Sequence, residues 1–85
     1  MSQNVTLKNQ IRQELMDTVK KKKVAIKELE ETVRSEMFLR STVTGGALST
    51  MARNACDARA NAARQKIAVI KASMAWQEEM LNKYQ

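Results

Sequence analysis

None of the 85 residues in this chain is proline, and its only two glycines stand side by side at Gly45 and Gly46. Proline removes a backbone donor and fixes φ, which makes it both the usual punctuation of loops and the strongest breaker of helices. A chain without it has few places to turn. The one break signal is Ser41-Thr42-Val43-Thr44-Gly45-Gly46. It combines β-branched residues, hydroxyls able to cap a helix, and two residues free to adopt positive φ. On either side stand helix formers: Lys, Glu, Gln, Leu, Met and, downstream, much Ala. The pattern predicts a single hairpin domain, with helix 1 over about 6–40, a turn over about 41–46 and helix 2 over about 47–83. So short a connection makes the two helices antiparallel neighbours.

Periodicity supports the hairpin. In helix 1, Ile11, Leu15, Val19, Ile26, Leu29, Val33 and Met37 recur at spacings of three, four and seven, within an arc of roughly 80°. Lys22 points into the same narrow seam, where an apolar residue is expected. Opposite charges at Lys27–Glu31, Glu30–Arg34 and Glu36–Arg40 suit a solvated outer face.

Helix 2 carries two apolar lines. One runs Ala60, Ala63, Ile67, Ile70, Met74, Gln77, Leu81 and Tyr84; the other runs Met51, Ala55, Ala58, Ala62, Val69, Trp76 and Met80. Together they span roughly 200° of the helix. A partner with a narrow seam cannot cover that arc. The expected fold is therefore all-α: an antiparallel two-helix hairpin completed as a four-helix bundle or longer helical assembly, by oligomerisation or partner binding. A second copy of the chain is the simplest completing element.

Folding symmetrically about Gly45–Gly46 sets residue i opposite roughly 91 − i. Ala55, Ala58 and Ala62 then lie beside Met37, Val33 and Leu29, Trp76 near Leu15, and Leu81 with Tyr84 near Leu7 and Ile11. Small residues opposite large ones suit close packing, so Ala62→Leu is expected to overpack the contact. The same pairing brings Lys20, Lys21, Lys22, Lys23 and Lys27 level with Arg64, Lys66 and Lys71, merging them into one basic belt.

Fifteen Lys and Arg against nine Asp and Glu give a formal charge of +6 and a pI near 9.8. Such a belt suits phosphates, an acidic protein surface, or no partner beyond water. Base-specific reading is not expected from a Lys-rich belt with no aromatic platform. Binding to an anionic membrane surface is a weaker reading, because helix 1 carries too many acids.

Four residues invite closer reading. Lys22 either snorkels to water or fixes register by pairing with an acid across an oligomer, and Gln77 raises the same question. Trp76 is either a core residue or an exposed anchor for a partner. Cys56, among alanines, reads as a small buried residue.

Enzyme chemistry finds no complete set. Without His and with one Cys, neither a usual zinc site, a His-based triad nor an internal disulfide can form within one chain. No phosphate-binding loop follows the glycines, and Glu28, Glu30 and Glu31 point in different directions. A two-helix hairpin is not expected to offer a cleft of a few hundred Å³. No catalytic, metal or cofactor site is expected.

The leading expectation is a non-enzymatic interaction or assembly module acting through Met51, Ala55, Ala62, Val69, Trp76 and Met80. The alternative is a sequence-tolerant RNA- or DNA-binding regulator using the basic belt. No signal peptide or membrane-spanning stretch is expected. The expected location is cytoplasmic, which leaves association with a virion or secretion apparatus open.

Overall fold

A computed structural model describes residues 2–84, with side-chain surroundings from Val5 onward. Two helices account for almost all of it: α1 spans Ser2–Thr42 and α2 spans Gly46–Lys83. They pack as an antiparallel hairpin measuring 71 × 15 × 12 Å. Both helices run to the edges of the turn, two residues past the expected end of helix 1 and one before the expected start of helix 2.

The seam is a heptad repeat on both sides. Along α1 it runs Leu15, Val19, Lys22, Ile26, Leu29, Val33, Glu36 and Arg40, with Val43 just past the helix end, alternating steps of four and three. Along α2 it runs Arg53, Cys56, Ala60, Ala63, Ile67, Ile70, Met74, Gln77 and Leu81, with Tyr84 at the C-cap. Every one of these residues is buried or half-buried. This is the repeat that holds a seam against a partner helix along its full length. Among the described residues the buried ones are Val19, Ile26, Cys56, Ala60 and Ala63. The close approach therefore rests on Ala60 and Ala63, at 0% and 4% exposure. The expected contact residues Ala55, Ala58 and Ala62 are all exposed.

The register also departs from the symmetric fold. Lys22 reaches Ser73 and Gln77 rather than position 69, Glu36 reaches Arg59 rather than 55, and Arg40 reaches Asp57 rather than 51. Each partner lies further along α2 than symmetry about Gly45–Gly46 predicts. The cause is general: helical side chains lean toward their own N-terminus, so in an antiparallel pair the two leans add. By the same offset, Leu7 meets neither Leu81 nor Tyr84, the partners that symmetry assigns it. Leu7 is 57% exposed, and burial begins only at Ile11.

The turn uses its glycines as expected, with φ of 75° at Gly45 and 71° at Gly46. The hydroxyls do other work. Gly45 caps α2 with no side-chain hydrogen bond, while Ser41 and Thr42 donate back to the carbonyls of Phe38 and Leu39 at 2.6 and 2.8 Å. They satisfy acceptors that the end of α1 leaves open. A Cβ at Gly45 or Gly46 meets nothing within 4 Å, so substitution there is penalised through the backbone alone. Gly45→Ala is expected to destabilise the hairpin by about 1–3 kcal/mol in urea unfolding. Unchanged stability would mean that the turn relaxes to negative φ.

Candidate interaction surface

The second line of α2 lies outside the seam and is bare. Met51, Val69 and Trp76 are 67%, 69% and 61% exposed, and Ala55, Ala58 and Ala62 between them are exposed as well. This line is itself a heptad: Leu48, Ala55, Ala62, Val69 and Trp76 recur every seven residues, interleaved with Met51, Ala58, Gln65 and Ala72. It keeps step with the hairpin seam but sits roughly 150° around the helix from it at ~100° per residue. Trp76 thus stands as an exposed side chain rather than a core one.

Met80 does not belong to this strip; it is half-buried. The repeat steps from Ala72 to Trp76 and then to Glu79, so Met80, a second step of four, leaves it. At ~100° per residue it falls between the strip and the seam residues Gln77 and Leu81.

Open grooves flank the hairpin, with volumes of about 400 to 470 Å³. The expectation of no space on that scale therefore fails on volume. They are furrows between two rods, open to solvent along their length. The most apolar is lined by Leu29, Ala62, Gln65, Lys66, Val69 and Ile70, so the strip forms one wall of it.

The predicted basic belt is divided. Lys22 is half-buried in the seam, where Nζ donates to Gln77 Oε1 at 2.6 Å and to Ser73 Oγ. Within the hairpin its partners are two neutral side chains. Lys20 and Lys23 line one groove with Asp17 and Glu78. Arg64 and Lys71 line a second with Glu30 and Arg34, and Lys66 lines the apolar one. Lys21 and Lys27 are exposed. The merging fails because the offset register slides Lys20–Lys23 past Arg64–Lys71, and because consecutive residues point ~100° apart on a helix.

Near the turn, ions enter the seam. Arg59 Nε donates to Glu36 Oε1 at 2.8 Å, and Arg59 Nη2 lies 3.6 Å from Cys56 Sγ. Arg40 Nε stands 2.8 Å from Asp57 Oδ1, with both side chains two-fifths exposed, a setting in which ion pairs contribute little. Glu36 is the more enclosed, its side chain 13% exposed. The Arg59 hydrogen bond holds its carboxyl below the ordinary range; partial burial opposes this and the Cys56 thiol assists. A carboxyl lowered in the folded state stabilises the fold above its unfolded pKa of about 4.3, and that contribution is lost as pH falls through the folded value. Glu36→Gln is thus expected to melt lower than the parent at neutral pH and to lose less on acidification. Parallel melting curves against pH would show that Glu36 is not the group responsible.

Cys56 is buried, as its residue type predicts. Among the described residues no group of acidic, Cys or His side chains is placed to hold a metal ion, and no helix is long and apolar enough to cross a membrane. Comparison with protein-family models, with curated proteins and with solved structures finds no match.

Proposed function

We propose that this chain is a non-enzymatic protein–protein interaction or assembly module whose docking surface is the bare heptad of α2 from Leu48 to Trp76. The observation that carries this reading is the exposure of Met51, Val69 and Trp76 in one continuous line. Isolated exposed apolar residues are ordinary, but a contiguous line of them is a mark of interaction surfaces. An exposed Trp is a frequent anchor type at such surfaces. The repeat adds the shape of the ligand, since a seven-residue period suits another helix lying along α2. Nucleic-acid binding through the basic residues is the weaker reading, because they are dispersed over several faces and partly matched by Asp17, Glu30 and Glu78.

The test is retention of proteins from an extract of the source cell by the immobilised chain. Trp76→Ala and Val69→Lys are expected to lose the bound protein, while a variant with Lys20, Lys23, Lys27, Arg64 and Lys71 all changed to Ala keeps it. Loss in the second variant alone, together with bound nucleic acid, would transfer the function to the basic residues.

A further inference from the structure

Resting on that reading, we infer that the helix that covers the bare strip is α2 of a second copy, crossing antiparallel between Ala62 and Gln65. Three observations lead there. The first is area. The chain exposes 6514 Å², against about 5,100 Å² for a compact monomer of its mass. The excess of about 1,400 Å² exceeds the ~800 Å² that each partner contributes to a standard interface.

The second is self-complementarity. Antiparallel pairing centred between Ala62 and Gln65 layers Met51 on the other copy's Trp76, Ala58 on its Val69, Ala55 on its Ala72 and Ala62 on its Gln65. In the central layers an alanine faces a larger side chain, and the Met–Trp layers fill the ends where crossed helices diverge. Sulfur against an aromatic ring is itself a favourable contact. A parallel pair instead sets like on like, Trp76 on Trp76, Gln65 on Gln65 and each alanine on an alanine, which alternates crowded and empty layers along the strip.

The third is direction. The strip lies roughly 150° from the hairpin seam, so the two hairpins join back to back through α2. The four helices then lie in a row, α1·α2·α2·α1, rather than in the square of a four-helix bundle.

Charge gives the association a signature. Arg59 and Lys66 flank the strip on one side, and antiparallel pairing brings Arg59 of one copy toward Lys66 of the other. Each chain also carries a net +6. Salt therefore strengthens this contact by screening repulsion, whereas it weakens binding to phosphates or to an acidic partner.

Sedimentation equilibrium of the full chain, at about 50 and about 500 mM salt, tests this directly. The expected result is twice 9.6 kDa, with tighter association at the higher salt. Trp76 is the sole tryptophan, so its emission should shift to the blue over the same concentration range. Val69→Lys and Trp76→Ala replace exposed residues and should keep their helicity while associating at least about tenfold more weakly, about 1.4 kcal/mol. A monomer at every concentration and both salts overturns the inference, as does a dimer that salt dissolves or that neither substitution weakens. If that monomer still captures a protein from extract and the same variants lose it, the second copy is refuted and the docking surface stands. If it captures none, both readings fall.

Discussion

Replacing Ala60 with leucine is expected to weaken the hairpin by about 1–3 kcal/mol, while the same change at Ala62 leaves the dilute chain's stability nearly unaltered. The two alanines are two residues apart and identical in type, and only their place on the helix separates them. Ala60 is fully buried between the helices, with Ala63 one step along the same seam. Ala62 is exposed on the back of α2. A leucine at position 60 adds three carbons where the backbones approach most closely. The helices must separate, and that separation strips contact from the neighbouring Cys56 and Ala63 layers. At ~4–8 °C per kcal/mol for a domain of this size, the melting temperature followed by helical circular dichroism should fall by about 5–20 °C. Equal melting of the two variants would mean that the seam does not run through Ala60.

That contrast marks where the sequence stops being legible. The hairpin is readable because its causes are local: no proline, one Gly-Gly break, and helix formers on both sides. The two apolar lines of α2 are readable from spacing alone. What spacing does not supply is which line faces α1, since both follow the same repeat. The choice rests on pairing across the turn, and a symmetric fold misplaces every pair because it ignores the lean of side chains along each helix. Three errors share that origin: Ala62 assigned to the contact in place of Ala60 and Ala63, Leu7 paired with the end of α2, and lysines merged with Arg64 and Lys71. Met80 fails for a different reason: it follows two successive steps of four and so leaves the heptad that Trp76 belongs to. Lys22 and Gln77 are the reverse case. Each is a polar residue in an apolar line, and in the structure each supplies the other's partner.

Changing Lys22 and Gln77 together to leucine is expected to stabilise the hairpin by about 2–3 kcal/mol, because two half-buried polar side chains give way to apolar ones worth about 1.5–3 kcal/mol each when fully buried. Either change alone should gain less or lose. Lys22→Leu leaves the Gln77 amide without its donor, and Gln77→Leu leaves the ammonium with Ser73 alone. The coupling in the double-mutant cycle should be about 0.5–3 kcal/mol. The gain carries a structural cost, because a polar pair inside a heptad seam specifies register at the expense of stability. A slip of one heptad sets the ammonium against Lys66 and Ile70, or against Met80 and Tyr84, and each arrangement leaves it without the Gln77 acceptor. With leucine at both positions that penalty disappears, and slipped pairings become accessible once the turn unwinds to absorb them. The double variant should therefore melt higher by about 8–20 °C and yet exchange amide hydrogens faster around residues 40–48. A double variant that melts no higher than the parent would show that the Lys22–Gln77 pair already offsets its own dehydration. One that melts higher with slow exchange at the turn would show that Gly45 and Gly46 set the register without it.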